Sequence, residues 1–377
     1  MAHGAGLLRE PFPAYLPERV LAEAEALAEV PVALYVADLD GHCLWRLAGS
    51  SLFPESLSTA AIGPELPLVG IDALREVVRS TLPDGCVTAL RVRDRAVAVL
   101  VTAAAPAATL DAFADEAGLA LELAAGYTDV IHAARRRKPL SPAAEIQAGL
   151  LPPRIAEFDQ ASVAGGVLPA YDVGGDFFDY AGNPTGIWLA VVDAMGRGNR
   201  AATLSALSLA AMRSVRRRDG TLEEAGATMH EALLDVTNGD AFVTAVLAHV
   251  HTGSATLSWI SCGHPAPLVV DADGNLDELD VTTSPPLGLS LAPFQVERRE
   301  RPFPPQSRLI LYSDGISERR RDDGSLFGLD GIRSAVRSAP AVTAEATVRH
   351  LQDAILGASH RPLRDDATLL VVARLVR

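Results

Sequence analysis

Apolar runs of strand length in the second half of the chain begin or end on aspartate, and this constrains the fold more than any other feature. Asp193 closes IWLAVVD, Asp314 closes RLILYSD, Asp365 and Asp366 precede ATLLVVARL, and Asp176 follows a glycine pair in VGGDFFDY. A carboxylate at the mouth of a rigid sheet is held in place yet stays reachable from solvent. Several converging carboxylates form a hard, oxygen-rich site suited to Mg²⁺ or Mn²⁺. Two such ions side by side suit the hydrolysis of phosphate esters. Taken singly, Asp314-Gly315 and Gly174-Gly175-Asp176 also read as ordinary turns or bulges, so the weight rests on their order and context.

The runs ASVAGGVLPA, GIWLAVVDA, FVTAVLAHV, ATLSWISCG, PLVVDADG, RLILYSDG and ATLLVVARL are strand candidates, several separated by short turns such as 251–253 and 273–274. Helical patterns appear at AATLSALSLAAMRSVRRR, TLEEAGATMHEALLDV and TAEATVRHLQDAILGA. The expected fold class is α+β: two antiparallel sheets forming a sandwich with helices outside, which would bury strands such as IWLAVV on both faces. Between two strands, His264 in GHPAP reads as a polar turn residue or as a base. Neighbouring Cys262 reads as a small core residue.

The front half has a different rhythm. A helix is expected over Glu18–Val30, stopped by Pro31, and then a hairpin turning at Asp40-Gly41. A helical patch at IDALREVVRS, a second hairpin turning at Arg93-Asp94 and a long helical pattern from Leu110 to Ala134 follow. The basic quartet Arg135–Lys138, before Pro139 and Pro142, reads as a solvated helix end and a break in the helix. Cys43 and Cys86 read as packing residues.

Charge and cysteine usage exclude several classes. With 33 basic against 47 acidic residues, the formal net charge of −14 has the wrong sign for a nucleic-acid binder. Three scattered cysteines write neither a disulfide framework nor a metal knuckle, which fits a reducing cytoplasm. The longest apolar stretch, Ala96–Leu110, is too short to span a bilayer, and MAHGAGLLREPFP lacks an export signal's pattern. A cytoplasmic protein without membrane or nucleic-acid partners is expected.

Eight blocks in order carry a family resemblance: AAEIQAGLLP (143–152), LPAYDVGGDFFDY (168–180), VVDAMGRGNRAA (191–202), FVTA (242–245), GHPAPL (263–268), PPLGL (285–289), LYSDGISE (311–318) and DDATLLVV (365–372). Over roughly residues 141–377 the chain resembles the PPM-type, phosphatase 2C-like metal-dependent serine/threonine protein phosphatases, in their bacterial SpoIIE/RsbU branch. The resemblance implies an αββα sandwich with two Mn²⁺ or Mg²⁺ ions at one edge. It makes Asp193 the bridging ligand, with the Ala194 carbonyl, Asp176, Asp314 and Asp365 completing the metal site. Asp179 and Asp366 would support those ligands from behind. It further implies a water attacking phosphorus in line with the serine or threonine oxygen. Gly174, Gly175, Gly196 and Gly198 would keep the backbone close to the metals.

The implied organisation is an N-terminal helical segment (1–27), a GAF/PAS-like regulatory domain (28–128), a helical linker (129–152) and the phosphatase domain (153–377). The implied substrate is a phosphorylated anti-sigma-factor antagonist in a partner-switching pathway. A small molecule or protein would act on the front domain, and a homodimer is a fold-level expectation. Departures from the family pattern are specific. Asp193-Ala194-Met195 replaces Asp-Gly-His, leaving the general acid unassigned, and Val192 and Met195 stand where the bacterial branch has glycine and a small polar residue. No arginine just upstream of Asp176 matches the eukaryotic phosphate anchor, so Arg197 is the catalytic candidate for that task. The alternative reading is a catalytically inactive module that binds a phosphoprotein.

Overall fold

The computed structural model describes residues 6–169, 171, 174–281, 284–290, 294–338 and 343–376. Two compact units divide the chain: Met1–Pro139 with Arg154–Ala156, and Leu140–Pro153 with Glu157–Arg377.

The first unit runs α1 (Leu16–Ala28), β1 (Val32–Ala37), β2 (Cys43–Gly49), β3 (Ser56–Ser58), β4 (Leu66–Pro67), α2 (Ile71–Thr81), β5 (Cys86–Val92), β6 (Arg95–Thr102), α3 (Asp111–Ala124) and α4 (Val130–Ala134). Its sheet has the order β3-β2-β1-β6-β4, with β5 also paired to β6. Both expected hairpins form, β1 with β2 and β5 with β6. Alternate residues of β1 enter two cores. Leu34 and Val36 pack with α1 and α3, while Ala33, Tyr35 and Ala37 pack with α2. Burial on both faces explains why β1 and β6 are apolar almost throughout rather than alternating.

Two expectations fail here. The pattern from Leu110 to Ala134 is not one helix: α3 stops at Ala124, and α4 resumes after a turn containing Gly126. Thr128 Oγ1 accepts from Val130 N at 3.3 Å, a local bond that competes with helix continuation. Nor is the basic quartet simply a solvated helix end. Arg135 donates to the Val97 carbonyl at 3.1 Å, and the Arg137 guanidinium lies 4.1 Å over the Trp45 ring.

The second unit contains α5 (Pro142–Leu150), β7 (Ile155–Phe158), β8 (Ala161–Leu168), β9 (Asp176–Asn183), β10 (Gly186–Ala194), α6 (Gly198–Arg216), α7 (Leu222–Thr237), β11 (Val243–His251) and β12 (Thr256–Cys262). It continues through β13 (Leu268–Val270), β14 (Leu276–Glu278), β15 (Arg299–Pro302), β16 (Arg308–Tyr312), α8 (Asp314–Ser317), α9 (Gly328–Ser338), α10 (Ala344–Gly357) and β17 (Ala367–Arg374). One sheet has the order β15-β12-β11-β10-β9 and the other β14-β13-β16-β17-β8-β7. α6 and α7 bury Leu209, Met212, Met229 and Leu233 on the first sheet, and α10 packs on β8 and β17 of the second. The result is the expected αββα layering. A capping box at Thr221 and Glu224 starts α7, and Thr343 Oγ1 accepts from Ala346 N to start α10.

The seven expected strands are present, though Pro169 of ASVAGGVLPA lies past the end of β8. Ala170, Asp172 and Val173 of the block at 168–180 lie outside the described residues. The strands β7, β9, β14 and β15 and the helices α8 and α9 are not among the expected elements. Among the described residues, no helix is long and apolar enough to cross a membrane.

Candidate functional site

The acidic residues meet where one end of the first sheet faces the second. Asp176 opens β9 and pairs in register with Asp193 near the end of β10, which pairs in turn with Thr244 on β11. From the other sheet come Asp314, just beyond β16, and Asp365 with Asp366, just before β17. Asp176 and Asp366 are buried, Asp193 is half-buried, and Asp314 and Asp365 are exposed.

Strand alternation decides which acids share this edge. Phe177 of β9 packs under α6 and α7, so Asp176 faces the opposite sheet. Asp179, three residues on, points back toward α6, where Arg213 binds it at 2.8 and 3.2 Å and Arg216 at 2.8 Å. Arg213 also donates to the Leu150 carbonyl at 2.7 Å. Asp179 is therefore a neutralised structural carboxylate on the far face, which corrects its expected support of the metal ligands. Asp366 does stand at the site: its Oδ2 accepts from Gly174 N at 2.8 Å.

Among the described residues, no cation pairs with the remaining acids in the same way. Burial first, and then the charges of Asp193 and Asp366, hold the Asp176 carboxyl well above the usual carboxylate range. Asp193 is pushed up to about 7 by burial and then by Asp314. Asp314 is raised by burial and by Glu318 and Asp365. Asp366 rises to about 6, chiefly through burial, while its bond from Gly174 and the charge of Arg197 pull the other way. Among the described residues, Asp176 Oδ2 is buried without a hydrogen-bond partner. An orphaned oxygen among mutually repelling carboxylates fits a hard divalent cation. Among the described residues, no three such groups are drawn together closely enough to enclose an ion as they stand.

Close backbone packing supports this edge. A Cβ on Gly175 would lie 2.6 Å from the Ala194 carbonyl oxygen, and one on Gly315 would lie 1.9 Å from the Asp366 carbonyl oxygen. Gly196 and Gly198 differ: nothing lies within 4 Å of either Cβ position, and their φ values of +96° and +69° explain the glycines instead. From α5, Gln147 Nε2 donates to the Asp176 carbonyl at 2.6 Å. The Ser205 hydroxyl donates to the Gly175 carbonyl. Arg197 is exposed at the N-terminal cap of α6, and Met195 is exposed beside it.

His264 sits at a bend between β12 and β13, as the turn reading expects, and its side chain is turned inward. It is buried, accepts from Thr244 Oγ1 at 2.8 Å through Nδ1, and donates from Nε2 to the Tyr312 carbonyl at 3.1 Å. A carbonyl only accepts, which fixes the neutral tautomer. Burial pushes this imidazole down to about 3, and burial pushes the Cys262 thiol up to about 12. Both are structural residues. No sequence signal tied His264 to Thr244 and Tyr312, which lie far from it along the chain.

Comparison with known proteins bears on the fold and the family. The curated protein phosphoserine phosphatase RsbU of Bacillus subtilis (strain 168) is 22% identical over 235 residues, covering 62% of this chain and 69% of that protein. The structure of the PP2C phosphatase domain with a fragment of the regulatory domain of SpoIIE from Bacillus subtilis superposes with a TM-score of 0.50 and 15% identity. It covers 97% of this chain and 89% of that one, and shows a shared fold. The RsbU and RsbW domains of a Mycobacterium tuberculosis protein match with a TM-score of 0.49 and 23% identity over 58% of this chain, which spans 62% of that structure. The family model for stage II sporulation protein E (SpoIIE) matches residues 183–375, just over half the chain, and the chain therefore belongs to the SpoIIE family.

Proposed function

We propose that this chain is a metal-dependent protein phosphatase acting on phosphoserine or phosphothreonine. The observation that carries the reading is the meeting of Asp176, Asp193, Asp314, Asp365 and Asp366 at one sandwich edge, where burial and neighbouring acids raise the pKa of Asp176, Asp193, Asp314 and Asp366. Asp193, Asp176, Asp314, Asp365 and the Ala194 carbonyl would hold two Mn²⁺ or Mg²⁺ ions. Such ions activate a bound water and neutralise phosphoryl oxygens. Asp366, buried and fixed by Gly174, holds its loop against the site. Arg197 stands near enough for its charge to act on Asp366, and would pair with phosphate oxygens through its forked guanidinium. The substrate class that best fits the RsbU-like sequence is a phosphorylated anti-sigma-factor antagonist in a partner-switching pathway.

The front unit, GAF/PAS-like in its order of hairpin, helix and hairpin, would regulate the site through the segment 129–152. Within that segment, Gln147 is the residue best placed to transmit a shift, because it holds the backbone of Asp176. Release of phosphate from a phosphoserine protein, with Mn²⁺, Mg²⁺ or chelator and with DNA and a nucleoside triphosphate as competing substrates, tests the activity. Metal-dependent turnover of the phosphoprotein alone is expected. Binding of the phosphoprotein without turnover would instead favour an inactive recognition module.

A further inference from the structure

A cleft of about 370 Å³ opens beside the acidic edge, and its lining carries both signs of charge. Asp314, Glu318 and Asp365 line it together with Arg320, Arg361 and Arg364. Arg361 and Arg364 are exposed, and among the described residues neither guanidinium makes a hydrogen bond or ion pair. The Arg320 guanidinium makes a long 3.3 Å bond to the Gly324 carbonyl.

The loop bearing these arginines is held firmly. Arg319, 7% exposed, donates to the carbonyls of Ile355, Pro362, Ser359 and Arg361 at 3.4, 2.9, 2.9 and 2.6 Å. Asp322 Oδ1 accepts from Ser359 Oγ at 2.6 Å and His360 N at 3.2 Å. A buried cation spent entirely on backbone carbonyls is an expensive way to shape a surface loop. Its effect is to hold in place the backbone that carries Arg361 and Arg364, so little loop order is lost when an anion binds.

We propose that Arg320, Arg361 and Arg364 form a docking wall for an acidic peptide segment adjoining the phosphorylated residue of the protein substrate. The proposal rests on the phosphatase reading and adds what selects the substrate. A phosphoprotein is anionic and meets a chain of formal net charge −14, so association needs a local positive surface at the mouth of the site. A forked guanidinium pairs with a carboxylate side chain through two parallel hydrogen bonds.

The test uses the full chain and two phosphoserine peptides, one flanked by glutamates and one by glutamines. Turnover is read by phosphate release and binding by fluorescence anisotropy, for wild type, the R361E/R364E pair and the charge-keeping R361K/R364K pair. Wild type should favour the glutamate peptide by about tenfold at low salt, with the preference in KM rather than kcat and shrinking as salt rises. R361E/R364E should abolish or invert that preference, and R361K/R364K should keep most of it. A p-nitrophenyl phosphate assay and a thermal melt identify a folding defect, which would lower both peptides' turnover equally. Turnover without any peptide preference, or a preference that survives charge reversal, overturns the docking wall alone. Charge-dependent binding without turnover keeps the wall and overturns the phosphatase reading.

Discussion

Two carboxylates three residues apart on β9 live in opposite surroundings. Asp179 faces α6 and is matched by Arg213 and Arg216, whereas Asp176 faces the other sheet among Asp193 and Asp366 with one oxygen unpartnered. Both are buried, so burial alone does not mark a functional acid. What separates them is compensation: a buried charge matched by the protein is architecture, and one left for an outside cation is a site.

The largest effect expected from this contrast is on stability, at the compensated side. Arg216→Ala should cost about 4 kcal/mol, because it leaves Asp179 short of a buried partner. Denaturant unfolding measures this, and a cost under about 1 kcal/mol would show that Asp179 is already satisfied by Arg213.

On the uncompensated side the sign reverses. An acid whose folded pKa is raised costs stability as pH climbs from its ordinary value through the folded one, here from 3.8 to about 7 for Asp193. In chelator at about pH 8, Asp193→Asn should therefore be more stable than wild type by about 2 kcal/mol, and the gap should close near pH 4. Melts at both pH values decide it, since a gap of equal size at each would mean that charge is not its source.

The histidine strut behaves in the opposite way to the acids. His264, held neutral with a pKa of about 3, contributes stability that is present above its unfolded value of 6.5 and lost as pH falls toward 3. His264→Ala should cost about 2 kcal/mol at neutral pH by stranding Thr244 and the Tyr312 carbonyl, and should flatten the acid limb of the stability curve. An unchanged acid limb would exclude His264 as its cause. The smallest effect is catalytic: Arg197→Ala should lower turnover of a phosphoprotein by about tenfold, or roughly 1.4 kcal/mol. Unchanged activity would remove Arg197 from the site.

Much of the sandwich is legible in the sequence because its central strands are continuous apolar runs bounded by turn residues, and Asp193, Asp314 and Asp365 are conspicuous at their ends. β9 is not legible. In DFFDYAGN the aspartates and the glycine break any apolar run, and Asp179's pairing with helix residues 34 and 37 positions away leaves no local trace. α9 is short and carries Gly328 and Gly331, which mask its helical pattern. The long helix expected through Ala134 reads well as periodicity, yet the turn at Gly126 and the local bond to Thr128 break it. The docking wall is also invisible in sequence, since the bonds of Arg319 and Asp322 across about 40 residues bring residues 320 and 361–364 to one cleft.

The most direct test of the central claim is a calorimetric Mn²⁺ titration of the full chain and of Asp193→Asn, paired with phosphate release from a phosphoserine protein. The account predicts that wild type binds Mn²⁺ and turns over only when loaded, and that Asp193→Asn loses at least about a thousandfold in turnover together with most of its metal affinity. Metal-independent turnover, or turnover in Asp193→Asn equal to wild type, would contradict it.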